Sequence, residues 1–180
     1  MPINDLLDHS RVESRPIELL EMTFDSTEIL RALGESFAPL MSSAEQTLTV
    51  DLPNVAIPIP GDQSRLAQSI SNMLSNANKY AGAGAKVTLS ASSTDDLLTI
   101  QVTDNGIGMD PADAANAFDI YYRAENETTR SVSRLGLRLK IAKTIITMHG
   151  VEVDILNALG QGTTLEIRVP RHKNIASHAA

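Results

Sequence analysis

Asn72, Asn76, Lys79 and Tyr80 all lie in the stretch N-M-L-S-N-A-N-K-Y at 72–80. At about 3.6 residues per turn they fall on neighbouring parts of one helical face, so two amides, an ammonium and a phenol point the same way. An amide oxygen can complete the shell of a hard cation such as Mg2+, and a lysine offers a point charge to phosphate oxygens. Met73 and Leu74, with Leu66 and Ile70 a turn earlier, give the other side enough apolar surface to dock on a core. A second group answers the first, D-N-G-I-G-M at 104–109. The alternation L-L-T-I-Q-V-T at 97–103 predicts a half-buried strand, which leaves the Asp104 carboxylate at the mouth of a sheet and runs into a turn with positions at φ > 0. Asn-Gly also marks hairpins, but no strand follows. Pro111, an Ala-rich segment, Phe118, Tyr121, Tyr122 and a polar run come instead, which predicts a long excursion. The two groups suit phosphate and nucleotide chemistry; taken singly, each also reads as a solvated helix face or an ordinary turn.

In order and spacing these motifs resemble the catalytic, ATP-binding domain of bacterial sensor histidine kinases. That domain belongs to the Bergerat-fold group, with type II topoisomerases, the large heat-shock chaperones and mismatch-repair ATPases. Residues 72–80 match its Asn box, 104–109 its first glycine box and A-F-D-I-Y-Y-R-A at 117–124 its Phe box. A worn second glycine box lies around Arg134 to Leu139, and G-Q-G-T-T-L-E-I-R-V-P at 160–170 matches the closing strand. The resemblance runs from about residue 5 to 170. It implies an α+β, two-layer α/β sandwich: a mixed, mostly antiparallel sheet packed on about three helices, with a mobile ATP lid at about 110–135.

The resemblance also assigns roles. Asp104 accepts a hydrogen bond from the adenine amino group, and Gly106 and Gly108 let the backbone pass close to the base. Asn76, helped by Asn72, holds Mg2+ against the phosphates of ATP, Lys79 and Arg123 neutralise them, and Tyr80 flanks the nucleotide. Asn72 and Lys79 take the catalytic roles, while Gly136, Leu137 and Thr163 join the nucleotide site. Relatives that hydrolyse ATP generally have Glu where this chain has Asn72; an amide cannot activate water as that base, so Asn72 favours transfer to a neutral histidine. The histidine would sit on a dimerisation domain of the same, homodimeric parent, with a response regulator as the further partner. Against the pattern G-x-G-L-G-L, Arg134 and Arg138 replace two glycines and Gly136 remains. Arginine lacks glycine's freedom at φ > 0 and adds bulk, so either the guanidinium groups clamp phosphate or the lid fails to close. The alternative reading is therefore a regulatory pseudokinase module with weak or lost nucleotide binding. A stand-alone serine kinase of the anti-sigma-factor type is a third.

Positioning elements can be predicted along the chain. N-D-L-L-D-H-S-R-V-E-S at 4–14 resembles the tail of the dimerisation and phosphotransfer helix, so residues 1–16 form a remnant and linker, 17–170 the catalytic domain and 171–180 a frayed tail. His9, followed by Ser10-Arg11, is read as an exposed helical histidine. An extended segment is expected from Ile17 to Met22, then a helix from Asp25 or Ser26 to about Met41 with Ile29, Leu30, Leu33, Phe37 and Leu40 buried. A strand at 47–52, a Pro-rich connection at 53–61, and an Asp62-capped helix to Tyr80 follow. A flexible A-G-A-G-A joint at 81–85 leads to a strand that turns at Thr94 to Asp96 into Leu97–Thr103. Gly136 to His149 predicts a helix whose free N–H groups face phosphate, with His149 interacting with its carboxyl-end dipole. Val151–Asn157 and Thr163–Val169 close the sheet.

The 180 residues suit one domain with a short appendage. A net charge of −7, without basic runs interleaved with aromatics, argues against nucleic acid as a partner. The absence of cysteine excludes disulfides. No apolar window reaches a membrane span and no leader pattern opens the chain, so the expectation is a cytoplasmic domain without direct membrane contact, including as part of a membrane-anchored parent.

Overall fold

The computed structural model describes residues 20–108, 152–158 and 160–172. Its elements are β1 (Met22–Asp25), α1 (Ser26–Ser43), β2 (Thr47–Asp51), β3 (Pro58–Gly61) and α2 (Gln63–Tyr80). These are followed by β4 (Lys86–Ser93), β5 (Leu97–Asp104), β6 (Glu152–Ala158) and β7 (Gly162–Pro170). The main sheet has the order β2-β4-β5-β7-β6. β2 runs parallel to β4 and every other pairing in it is antiparallel, so the sheet is mixed and mostly antiparallel as expected.

Alternation explains which face is covered. Leu98, Ile100 and Val102 of β5, Val87 and Leu89 of β4, and Leu165, Ile167 and Val169 of β7 all point to one side and are buried. Their neighbours in sequence, such as Thr88, Thr99, Gln101, Thr103 and Thr164, stay partly exposed. A sheet with one apolar face needs one covering layer. The two described helices supply it through Leu30, Phe37 and Met41 of α1 and Leu66, Ile70, Met73, Leu74 and Ala77 of α2. The third expected helix, at 136–149, and the lid at 110–135 lie outside the described residues.

Both helices start where their caps predict. The Asp25 carboxylate accepts from the Thr27 N–H at 3.0 Å, and Asp62 accepts from the Arg65 N–H at 3.1 Å. The buried stripe of α1 differs in one position from expectation. Leu40 is 54% exposed, and Met41 takes the innermost place in the last turn.

The Pro-rich connection also differs. Residues 58–61 form β3, paired antiparallel to β1 in a separate two-stranded sheet with Phe24 opposite Ile59. Pro58 and Pro60, two residues apart, lack their N–H groups on the same side of the strand, which leaves the other side available for a ladder. Ile57 and Ile59 then reach the core. The expected flexible joint at 81–85 is tied down instead: the Gly84 N–H donates to the Glu45 carbonyl at 2.8 Å and Thr47 N–H to the Ala85 carbonyl at 3.0 Å. Nor does the tail fray at once, since Arg171 Nη1 donates to the Thr94 carbonyl at 2.7 Å, and its N–H to that of Asp96 at 2.9 Å.

Candidate functional site

The carboxyl end of α2 meets the turn that follows β5 at Ala81 and Gly106. Along α2, Asn72 is half-buried, Asn76 is 7% exposed, Lys79 is exposed and Tyr80 half-buried, opposite the wholly covered Ile70, Met73 and Leu74. Asn76 stands out chemically. Neither its amide nitrogen nor its amide oxygen has a hydrogen-bond partner among the described residues, although both atoms are out of reach of solvent. A buried amide without partners costs roughly 1–3 kcal/mol, so a residue kept in that state suits a ligand that satisfies it.

Asp104 closes β5, opposite Val87 of β4 on one side and Thr163 of β7 on the other. The Gly106 N–H donates to its Oδ1 at 2.9 Å, and the Thr163 backbone also donates to the carboxylate. Burial outweighs both bonds and holds the Asp104 pKa above the usual carboxylate value. Asn105 then turns back on β4, accepting from the Lys86 N–H at 2.6 Å and donating its own N–H to the Lys86 carbonyl at 3.2 Å.

The glycines of this turn have different reasons to be glycine. Gly108 has φ +67° and supplies the left-handed conformation expected of the motif. Gly106 is there for room: a Cβ on it would lie 2.5 Å from Ala81 Cα and 2.7 Å from the Ala81 carbonyl oxygen. The β5 exit therefore lies directly on the residue that caps α2. Gly162, which the sequence places only at the start of the closing strand, is glycine because a Cβ there would sit on the Asp104 carbonyl oxygen, and its φ is +90°. The G-Q-G at 160–162 was the signal for it. Thr163 is 8% exposed, and the Gly160 N–H donates to the Ile107 carbonyl at 2.8 Å.

The structure thus places Asn72, Asn76, Lys79 and Tyr80 along α2 and Asp104, Gly106, Gly108 and Thr163 at one end of the sheet, and the two parts meet where the Gly106 turn packs on Ala81. Arg123, Gly136 and Leu137 lie outside the described residues, as do Arg134 and Arg138. No group of three or more His, Cys, Asp or Glu side chains suited to a metal occurs among the described residues. A cation here would rely on amide oxygen from Asn76 and Asn72 and on oxygens brought by the ligand, a donor set suited to Mg2+.

A mixed sheet covered on one face by two helices, with a buried amide on one helix and a carboxylate at the end of a central strand, defines an α/β sandwich. Residues 61–173 match the family model of the histidine kinase-, DNA gyrase B- and HSP90-like ATPases, and the chain belongs to that family. Its sequence is 33% identical over 168 residues to the histidine protein kinase DivJ of Caulobacter vibrioides, covering 93% of this chain and 28% of DivJ. The structure of full-length ShkA in complex with AMPPNP superposes with a TM-score of 0.81 at 27% identity, covering 93% of this chain and 35% of ShkA. The histidine kinase ThkA, solved in complex with the response regulator protein TrrA, shares the fold with a TM-score of 0.77 at 18% identity, over 94% of this chain and 47% of that one. The chain therefore spans well under two thirds of the length of each of these three proteins.

Proposed function

We propose that this chain is the ATP-binding catalytic domain of a two-component sensor histidine kinase, which passes the γ-phosphoryl group of ATP to a histidine on a separate dimerisation domain. The observation that carries it is the buried Asn76 amide, without a hydrogen-bond partner among the described residues, on a helix whose end packs against the turn that follows Asp104. Asp104 accepts the adenine amino hydrogen, and the bare backbone at Gly106 and Gly108 admits the base. Tyr80 and Thr163 border the nucleotide, and Lys79 neutralises phosphate oxygens together with Arg123. Gly136 and Leu137 offer backbone N–H groups at the start of the following helix. Asn76 and Asn72 hold Mg2+, whose charge offsets that of the phosphates. Asn72 cannot act as a base, so these residues position and neutralise rather than activate water.

In this reading residues 17–170 are the catalytic unit and 1–16 the remnant of the phosphotransfer helix with its linker. The parent is a homodimer that signals to a response regulator from the cytoplasmic side. The ThkA–TrrA pairing supports that partner class, and no described helix is long and apolar enough to cross a membrane. Arg134 and Arg138 favour a second reading, a regulatory module of the same fold with weak nucleotide binding.

Calorimetric titration with ATP and an unhydrolysable analogue, with and without Mg2+, separates the two. Micromolar to sub-millimolar affinity that Asp104→Asn removes supports the kinase, and phosphotransfer to an added histidine-bearing dimerisation domain tests the reaction itself. No heat and no thermal shift at millimolar ATP would leave only the regulatory module.

A further inference from the structure

The last turn of α2, which carries Lys79 and Tyr80 and follows Asn76, is held from two sides. One side is the Gly106 turn resting on Ala81. The other is Gln46, a residue outside every motif, whose side chain is buried with 6% of the residue exposed. Its Nε2 donates to the Asn78 carbonyl at 3.0 Å and to the Gly82 carbonyl at 3.0 Å, and its Oε1 accepts from Asn78 Nδ2 at 2.9 Å. The Asn78 carbonyl is one that a helix leaves without an intrahelical partner at its end, and Gly82 is the residue just past the Ala81 cap. Gln46 fills that role from 32 residues away in sequence.

Gln46 is itself fixed in place by how α1 ends. Glu45, at φ +58°, is the one non-glycine residue at positive φ among the described residues. The Glu45 N–H donates to the Ser42 carbonyl at 3.0 Å and the Gln46 N–H to the Met41 carbonyl at 2.8 Å. This is a Schellman ending with glutamate where glycine is usual, and it delivers Gln46 to the end of α2.

We infer that Gln46 is a positioning residue of the nucleotide site: it clamps the end of α2 against the Gly106 turn and so sets the spacing between the phosphate-side residues of α2 and Asp104. The inference rests on the nucleotide reading given above. A ligand that spans both ends depends on this spacing, whereas a ligand engaging only Asp104 does not.

The test compares the whole chain with Gln46→Leu, which keeps bulk and removes the three bonds, at a temperature where both are folded. Affinity is measured for an unhydrolysable ATP analogue with Mg2+ and for adenosine, followed by the Gly106 amide resonance. The expected result is at least a fivefold loss for the analogue with adenosine binding changed less than twofold, and a shifted Gly106 amide without ligand. Equal weakening of both ligands would reduce Gln46 to general support and overturn the inference, as would analogue affinity within twofold of wild type. Should Gln46→Leu not fold, Asn78→Ala keeps both Nε2 bonds of Gln46 and removes the one to Oε1, together with the longer contacts of the same amide to the Leu40 carbonyl and the Met41 sulfur, and the same pattern is expected at smaller size. Wild type that binds no nucleotide would sink the functional reading by itself. The spacing role is then decided by the Ala81 and Gly106 amides, whose unchanged hydrogen exchange in the variant would overturn it.

Discussion

At the residue scale the site places two side chains where a folded chain alone would not want them. Burial makes Asp104 bind its proton more readily in the folded than in the unfolded state. Its ionised form therefore opposes folding at neutral pH, and that cost fades as pH falls towards the usual carboxylate range. Asp104→Asn carries no charge, so its melting temperature relative to wild type should become more favourable as pH rises above about 4, the usual carboxylate value, and level off once the raised pKa is passed. Nucleotide affinity should fall at least about tenfold, since the charge-assisted acceptor is gone; thermal melts across pH and a titration read both. Asn76→Ala removes two buried polar atoms without partners. Its stability in urea should stay within about 1 kcal/mol of wild type, because the relieved desolvation offsets the small cavity. The Mg2+-dependent part of ATP affinity should disappear. Both residues were legible in the sequence because helix periodicity and a strand's end place side chains by local rules. Gln46 was not, because a glutamine after a helix end carries no periodic signal and its bonds lie far along the chain.

At the element scale, close approach rather than propensity decides the fit. Gly106→Ala would push a methyl against the Ala81 Cα and carbonyl oxygen, backbone atoms that cannot swing away, and within 2.9 Å of Asp104 Oδ1. The expected cost is about 1–3 kcal/mol in denaturant unfolding, together with weakened nucleotide binding. The sequence marks Gly106 as a turn glycine, yet the reason is room, and only the packing of α2 on the β5 exit reveals it. Glu45→Gly should act the other way. Glutamate at φ +58° is strained, its side chain is exposed, and glycine relieves the strain. A gain of about 0.5–1 kcal/mol is expected, with an unchanged denaturant slope. The caps Asp25 and Asp62 were legible because each acts within three residues. β3 was not, since two prolines hide a strand whose ladder uses only one side.

At the scale of the molecule, the described residues divide into a main sheet under two helices and a small β1–β3 ribbon joined to it. Asp62 links the two, capping α2 while one of its oxygens accepts from the Leu20 N–H at 3.0 Å. The alternation in β4, β5 and β7 made the apolar face legible, but the parallel β2–β4 pairing follows from the helix crossover and has no signature of its own. Stability should follow the same division. β5 and β7 are flanked by strands on both sides and bury Ile100, Val102 and Ile167 almost completely. β1 has one partner, and in that partner two of four residues lack an N–H. Two-stranded sheets are marginal in water, and their opening does not require the main sheet to open. Native-state hydrogen exchange should therefore find the Ile100, Val102 and Ile167 amides exchanging only through global unfolding, and those of β1 at a markedly lower free energy. Equal protection would show that ribbon and sheet open as one unit. Unequal protection would place Asp104 and Thr163 on the most rigid strands, with the entering chain at Leu20 attached to the least rigid part and to the cap of the helix that bears Asn76.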